Sequence, residues 1–213
     1  MPAVERGYLD GVTVLDVVAV VGLAACWAAF TLTWLVGAIV FQRTAPAART
    51  RSRFGSAFGL GGVVVAIVIL AVPKADWNAV QIQTPWVRLL GLAILLAATA
   101  FTIWARLKLG VMWSAAPTVK EHHVLQTGGP YRLSRHPIYT GILGMLLGSL
   151  LLAGAGRWIV PFPVFLVLFE IKIRIEERLM LAEFPGDYQR YRERVPQLIP
   201  GLRLPRRRPM TAR

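Results

Sequence analysis

Long apolar segments are the feature that most constrains what this chain can fold into. Five segments carry few charged residues, namely 11–41, 54–72, 86–109, 137–154 and 159–174. The first is long enough to span a bilayer with tilt to spare. Apolar blocks of this kind must be buried either in lipid or in a very large hydrophobic core, and a chain of 213 residues is too short to form such a core. The pattern predicts an all-α fold, a polytopic membrane helix bundle of about five transmembrane helices.

The positions of the charges predict the orientation of these helices. The net charge is +13 although only 16% of residues are charged. Basic residues concentrate after the first, third and fifth apolar segments, whereas the connections 73–85 and 155–158 hold one cation each. By the positive-inside rule, this alternation places the N-terminus outside and the C-terminus in the cytoplasm. The prediction is an integral membrane protein, of the cytoplasmic membrane if bacterial, with any active site facing the cytoplasm.

The positions of the basic residues also limit the classes of partner that the chain could bind. Basic residues that sit between apolar blocks favour the lipid bilayer as a partner and argue against nucleic acid. The lone Cys26 lies inside the first apolar block, which excludes an internal disulfide and makes a cysteine-based metal site unexpected. We therefore predict no nucleic acid and no metal. The chain divides into an N-terminal three-span membrane region, 1–110, and a half that carries the unusual polar residues, 111–213.

The first polar cluster lies at the mouth of the fourth apolar segment. Residues 128–141 read Gly-Gly-Pro-Tyr-Arg-Leu-Ser-Arg-His-Pro-Ile-Tyr-Thr-Gly, a richer set than an ordinary membrane loop requires. Pro130 and Pro137 fix the path of the chain into the next helix. Arg135 and His136 precede its first turn, where free N–H groups attract anionic groups such as a carboxylate. The alternative is simple snorkelling of basic and aromatic side chains at the membrane boundary.

A second polar cluster closes the fifth apolar segment. It contains Lys172, Arg174, Glu176 and Glu177. Some of this charge would be ordinary helix pairing at i,i+4 spacing, and the two adjacent carboxylates point about 100° apart, so only one would face a given ligand squarely. Ionisable groups this close to a bilayer usually face protein or a polar cavity. We predict that the two clusters face each other and form one site.

Two further features have a structural explanation. His122 and His123 lack a ligand at metal-binding spacing, so a hydrogen bond to a ligand or to backbone is the favoured role. Gly144 and Gly148 form a Gly-xxx-Gly pair, which predicts close packing of helices rather than chemistry.

Together, the motifs resemble a known family. "GGPYRLSRHPIYTG", followed by "EERLMLAEFPGDYQRYRERVP", is similar to the isoprenylcysteine carboxyl methyltransferase and phospholipid methyltransferase superfamily. The matching elements lie within residues 122–200. They are His123/Leu125, Gly129-Pro130-Tyr131, Arg135-His136-Pro137-Ile138-Tyr139-Thr140-Gly141, Glu176-Glu177, Phe184, Tyr188/Tyr191 and Arg194-Val195-Pro196.

The resemblance implies an integral membrane methyltransferase that binds S-adenosylmethionine between the last two spans. The residues that it assigns to the cofactor are His123, Leu125, Gly129, Tyr131, His136, Pro137, Tyr139, Glu176 and Glu177. Arg135 would help to place the acceptor. Lys172 stands where the family often has arginine, and an anionic acceptor would call for Arg135 or Arg174. We therefore predict Arg135, Lys172 and Arg174 as the catalytic candidates.

The expected reaction is methyl transfer to a lipidic or small hydrophobic acceptor, which would reach the site from the membrane. The preferred acceptor group is an isoprenylcysteine-like carboxylate or a thiol, and a phospholipid amine is the second choice. Two alternatives remain open. One is an NADPH-dependent membrane reductase of the sterol-reductase type, for which Arg132, Arg190 and Arg192 could serve a 2′-phosphate. The other is a non-catalytic membrane subunit whose polar cluster is only structural.

Overall fold

The computed structural model describes residues 13–42, 48–51, 55–82, 84–114, 117–121 and 124–202. The elements in chain order are α1 Val14–Gln42, β1 Ala48–Arg51, α2 Gly55–Ala71, α3 Lys74–Ala79, α4 Pro85–Leu109, β2 Thr118–Lys120, α5 Pro137–Leu152, α6 Pro161–Glu183 and α7 Pro185–Arg194. Single 3-10 turns occur at Gly110–Met112, Gly129–Arg132 and Gly156–Ile159.

The long helices coincide with the five apolar segments of the sequence. Within the described residues, Val14–Phe41 and Pro85–Met112 are long and apolar enough to cross a membrane, and Leu60–Ala71 and Pro137–Leu152 are shorter apolar helices. Large apolar side chains on α1 and α4 are exposed, Leu32 to 62% for example, as contact with lipid would require. The predicted helical bundle is correct as a fold class. The number of crossings and their direction are a matter for the proposal below.

Helices α4 and α5 pack against each other through glycine. A Cβ atom at Gly148 would lie 2.6 Å from the backbone nitrogen of Leu95, and one at Gly144 would lie 2.8 Å from Cβ of Ala98. Gly141 approaches Thr102 as closely. Side chains at these positions would force the two helices apart, so the Gly-xxx-Gly pair has the packing role that the sequence indicates.

Helix α1 lies against this pair and is held at two levels. Near its middle, Trp27 Nε1 donates to Ser149 Oγ on α5 at 3.1 Å. Near its start, Asp16 Oδ1 lies 2.8 Å from Nη2 of Arg88 on α4, and Nε of the same arginine donates to the carbonyl oxygen of Leu152 at the end of α5. These contacts fix three helices at one end of the bundle and leave the other end for the polar clusters.

A two-stranded antiparallel ribbon departs from the sequence prediction. Strand β1 pairs with β2, whereas the sequence predicts an all-α fold. Lys120 on β2 is buried, and its Nζ donates to the carbonyl oxygens of Val111 and Trp113. The ribbon and this lysine together hold Trp113 beside the ends of the helices.

The chain after α7 returns to the start of α5 as an extended strap, residues 195–198. Backbone N–H groups of Arg135 and His136 donate to the carbonyl oxygens of Pro196 and Gln197, at 2.9 and 3.2 Å. Thr140 Oγ1 donates to the carbonyl oxygen of Leu198 at 2.7 Å. The strap therefore fixes the backbone of the segment that carries the first polar cluster.

Candidate functional site

The two polar clusters lie together at the junction of α5 and α6. Arg135 donates from Nε to Glu177 Oε1 at 2.8 Å, and its Nη2 lies 2.6 Å from the same oxygen. Its Nη1 donates to the carbonyl oxygens of Arg192 and Val195. Arg135 is thus engaged on every side by protein atoms, and it joins the start of α5 to α6 and to the end of α7.

A row of rings extends from this ion pair towards the interior. The rings of His136 and Tyr139 are stacked with centroids 5.6 Å apart, and Tyr139 stacks on Phe169 at 4.7 Å. Tyr139 donates its hydroxyl hydrogen to Glu176 Oε1 at 2.6 Å. On the other side, Nζ of Lys172 lies 5.1 Å from the centroid of the tyrosine ring, a cation–π distance.

His136 lies between the two carboxylates. Its Nδ1 is 3.5 Å from Glu176 Oε2, and its Nε2 is 3.5 Å from Glu177 Oε1. Burial disfavours the charged imidazolium, but the hydrogen bonds and charges of the two carboxylates outweigh that effect and raise the pKa of His136 above its usual value. For Glu177, burial acts to raise the pKa, and contact with His136 and Arg135 outweighs it and lowers that pKa. The cluster therefore stabilises both the protonated, cationic form of His136 and the ionised form of Glu177.

A cavity of about 860 Å³ opens beside this cluster, and we refer to it as the polar cavity. It is enclosed by the segment before α5, the 3-10 turn after α4, the second half of α6 and α7. Its lining residues are Leu109, Met112, Trp113, Ser114, Thr118, Val124, Leu125, Gln126, Tyr131, Arg135, His136, Pro137, Ile138, Tyr139, Glu176, Leu179, Met180, Tyr188 and Tyr191. The lining combines four tyrosines and one tryptophan with one carboxylate, Glu176, and two basic groups, Arg135 and His136, so it is suited to a ligand that carries both a cation and an anion.

A second cavity of about 1000 Å³ lies on the other side of Tyr139, and we refer to it as the apolar cavity. Its walls come from α1, α5 and α6. The lining residues are Trp27, Phe30, Trp34, Trp113, Ile138, Tyr139, Ile142, Leu146, Phe165, Phe169 and Lys172. Lys172 is the one basic residue in this lining. Trp113, Ile138 and Tyr139 line both cavities and form the partition between them.

Most of the predicted site residues line the polar cavity, but some do not. Those that line the polar cavity are Leu125, Tyr131, Arg135, His136, Pro137, Tyr139 and Glu176. Glu177 lies behind that lining in its pair with Arg135, as the turn of about 100° between successive helix residues requires. Gly129 packs against the ring of Trp104. His123 lies outside the described residues.

Lys172 and Arg174, two of the residues predicted to contact the acceptor, also lie in different environments. Lys172 lines the apolar cavity, with its Nζ 3.9 Å from Glu176 Oε1. Arg174 is 68% exposed and paired with Glu170, and it lines neither cavity. Because α6 turns by about 200° between these two positions, only one of them can face the interior.

Several lining residues were not singled out by the sequence analysis. Leu179 and Met180 follow Glu176 by three and four residues on α6, so helical spacing could have placed them on the same face. Tyr188 and Tyr191 belong to a quoted motif but were given no role. Trp113 and Ser114 carried no signal, because their place depends on the ribbon and on Lys120.

Comparison with known proteins connects this geometry to a family. Residues 89–182 match the model of the isoprenylcysteine carboxyl methyltransferase (ICMT) family. The cobalt-zinc-cadmium resistance protein CzcN of Cupriavidus metallidurans is 29% identical over 68% of this chain and 64% of its own length. The protein-S-isoprenylcysteine O-methyltransferase of Schizosaccharomyces pombe is 35% identical over 37% of this chain and 34% of its own. The chain thus spans between about a third and two thirds of these two relatives.

The fold has a counterpart of known structure. A eukaryotic intramembrane Ras methyltransferase, ICMT, superimposes with a TM-score of 0.64 at 19% identity, over 91% of this chain and 70% of that one. The family match includes Arg135, His136, Glu176 and Glu177. The match of residues 89–182 to this family model confirms the resemblance that the motifs indicate.

Proposed function

We propose that this chain is an integral membrane methyltransferase that transfers a methyl group from S-adenosylmethionine to the polar head of a lipidic or small hydrophobic acceptor. The observation that carries the proposal is the pair of cavities that meet at Tyr139. One has the polar and aromatic lining that a charged cofactor needs, and the other has the apolar lining that a lipid needs. A group-transfer enzyme requires such adjoining sites, because its two substrates must meet within bonding distance.

The polar cavity fits the groups of S-adenosylmethionine, which carries an ammonium, a carboxylate and a sulfonium. The two ring nitrogens of His136 each lie 3.5 Å from a glutamate oxygen, which holds the ring in the wall of the polar cavity. Glu176 would pair with the ammonium, while the protonated ring of His136 would attract the carboxylate. The faces of Tyr131, Tyr139 and the neighbouring aromatic rings would stabilise the sulfonium charge.

The chemistry requires little more of the protein than positioning. When bound, the cofactor supplies a methyl group that is already activated on its sulfonium sulfur. Tyr139, Ile138 and Trp113 would hold the two substrates on either side of the partition and exclude water from the space between them. Arg135, whose nitrogens contact Glu177 and two carbonyl oxygens, would act by holding the cofactor loop.

Lys172 favours an anionic acceptor head. Its ammonium lies at the end of the apolar cavity and beside the ring of Tyr139. It would attract the carboxylate of an isoprenylcysteine or a thiolate, and it would repel a protonated amine. A phospholipid amine is therefore the second choice. The S. pombe relative, a protein-S-isoprenylcysteine O-methyltransferase, supports the carboxylate as the acceptor. Arg174 is the weakest of the three catalytic candidates because it is exposed.

The proposed topology has five spans, an outer N-terminus and a cytoplasmic active site, with the site in the half 111–213. The positions of the basic residues support it. A reporter enzyme that is active only in the cytoplasm, fused after the C-terminus, should be active. A fusion active only on the outer side would contradict this orientation.

The experiment that tests the function is calorimetric titration of the purified protein in detergent with S-adenosylhomocysteine, with NADPH as the parallel ligand. Binding of the first alone is the expected result, and it would lead to a screen of labelled-methyl transfer to prenylcysteine, thiol and phospholipid acceptors. His136→Ala and Glu177→Gln should weaken that binding in protein that remains folded. Binding of NADPH alone would indicate the reductase, and binding of neither would make the cluster structural.

A further inference from the structure

A third cavity adjoins the polar cavity at its outer rim. It is a groove that opens to solvent, and we refer to it as the arginine cavity. Its lining residues are Leu125, Thr127, Arg132, Asp187, Arg190, Tyr191, Arg194 and Val195. Three guanidinium groups and one carboxylate give this lining a net charge of +2 (three minus one). Neither the proposed cofactor site nor the acceptor site uses these arginines, so their convergence requires another explanation.

The three arginines project from backbone that is held in place. Arg190 and Arg194 are one helical turn apart on α7, so their side chains lie on the same face. Arg132 belongs to the 3-10 turn Gly129–Arg132, which is joined to α7 because Tyr191 donates its hydroxyl hydrogen to the carbonyl oxygen of Tyr131 at 2.6 Å. This hydrogen bond sets Arg132 across the cavity from the two arginines of α7.

One further contact fixes the end of α7, because the carbonyl oxygen of Val195 accepts from Nη1 of Arg135. Within the helix, Nη2 of Arg190 lies 2.6 Å from Asp187 Oδ1 in an exposed pair. A binding site whose groups are already positioned loses less entropy when a ligand arrives.

The arginine cavity lies at the level where an apolar helix begins. Arg132 precedes Pro137, the first residue of α5, by five positions, and α7 follows directly on α6. The neighbouring surface is amphipathic: Leu133 is 47% exposed, and Trp104, which packs against Gly129, is 48% exposed. Tryptophan beside basic residues is the pattern of the membrane–water interface. In the membrane orientation proposed above, the cavity would therefore lie among lipid headgroups.

We propose that the arginine cavity binds the phosphate of an anionic phospholipid headgroup. Guanidinium groups present paired N–H donors that match phosphate oxygens, and several arginines at headgroup level add their attraction to an anionic leaflet. The proposal goes beyond methyl transfer and does not depend on it. The headgroup would rest against Tyr191 and Leu125, which also line the polar cavity, so a bound lipid would brace the rim of the cofactor site.

The test uses the full chain, purified in a zwitterionic detergent, and three soluble probes: dioctanoyl phosphatidylglycerol, dioctanoyl phosphatidylcholine and inorganic phosphate. Calorimetry gives the Kd of each probe, and thermal unfolding checks the fold. Arg132→Gln with Arg194→Gln forms the double variant. Arg178→Gln is the matched control, because Arg178 is also exposed and basic, lies just beyond the acidic pair on α6, and does not line the cavity.

The wild type and the control should bind phosphatidylglycerol at least about tenfold more tightly than phosphatidylcholine, and each arginine removed should cost about fivefold in affinity. Binding that survives in the double variant, or that does not distinguish the two lipids, would overturn the proposal. Equal affinity for inorganic phosphate would assign the cavity to a free anion and overturn the lipid. If the double variant does not fold, Arg132→Gln alone should still show its fivefold loss. S-adenosylhomocysteine binding, measured on the same samples, tests the cofactor site separately.

Discussion

The polar cavity and the apolar cavity share a wall but are built from different kinds of structure. The polar cavity is lined largely by loop residues and by the ends of helices, and the apolar cavity by the interiors of α1, α5 and α6. Ion pairs and hydrogen bonds to backbone carbonyls hold the first in place, among them the four contacts of Arg135. Stacked rings such as Tyr139 on Phe169 hold the second.

This difference indicates how the two substrates would be recognised. A cofactor with fixed charges needs partners at fixed positions, and the strap and the salt bridges provide them. A hydrophobic acceptor needs only volume and an apolar surface, so its cavity would tolerate acceptors of different shapes. Substitutions in one wall should therefore change affinity for one substrate and leave the other unchanged, and residues of the partition should be the exceptions.

The largest effect is expected from Glu176→Gln. The change removes a carboxylate that accepts a hydrogen bond from Tyr139 and lies 3.5 Å from Nδ1 of His136. Loss of hydrogen bonds to a charged group should weaken S-adenosylhomocysteine binding by about tenfold to a hundredfold in calorimetry. Glu193→Gln, an exposed glutamate that lines neither cavity, is the control and should bind normally. Equal affinities in the two variants would remove Glu176 from the cofactor site.

The converse substitution is Ile142→Trp in the wall of the apolar cavity. The larger ring should fill space that the acceptor needs, at a cost of about 1–3 kcal/mol to whatever must fit there. We expect the KM for a prenylcysteine acceptor to rise by about tenfold or more, with binding of S-adenosylhomocysteine unchanged. The measurement is labelled-methyl transfer at saturating cofactor. A normal KM with folded protein would show that the acceptor enters elsewhere.

The sequence predicts some of this arrangement well. Four of the five apolar segments place their helices to within about three residues at either end, because apolar runs of that length have few alternatives. The fifth segment ends at 174, whereas α6 continues to Glu183. Local motifs bring Arg135, His136 and Glu176 to one cavity for a similar reason. The Pro-flanked turn and the helical register of the acidic pair are properties of short stretches of chain.

What the sequence does not predict depends on contacts between distant segments. Arg106 has the appearance of a solvent-facing cation that ends the third apolar segment, yet the structure buries it to 1% exposure. Its guanidinium lies 4.6 Å from the ring of Trp113 and 5.9 Å from that of Trp34, which is on α1. The position of the partition residue Trp113 also depends on a contact outside its own segment, because Lys120 on the β-ribbon donates to its carbonyl oxygen. No spacing rule within one segment could place them.

A smaller effect is expected at the partition itself, from Tyr139→Phe. The ring keeps its stacking on Phe169 and His136 while the hydrogen bond to Glu176 is lost. One hydrogen bond contributes about 1 kcal/mol, so cofactor affinity should fall by only about threefold to tenfold. The acceptor KM should stay unchanged. Tyr139→Ala, which removes the wall, should impair both substrates. If the phenylalanine variant is as defective as the alanine variant, the hydroxyl has a direct part in transfer.

The smallest effect concerns the pH dependence of stability, and only the polar cavity should show it. The raised pKa of His136 means that its stabilising contribution is fully present below its ordinary value of 6.5 and is lost as the pH rises through the raised value. The lowered pKa of Glu177 has the opposite sign: its contribution is present above its ordinary value of 4.5 and is lost as the pH falls through the lowered value. Both contributions are therefore complete between these two pH values. The difference in Tm between the wild type and His136→Gln should be largest there and should narrow as the pH rises to about 9. A difference that stays constant over this range would mean that His136 is neutral, with Glu176 held by Tyr139 and Lys172 and Glu177 held by Arg135.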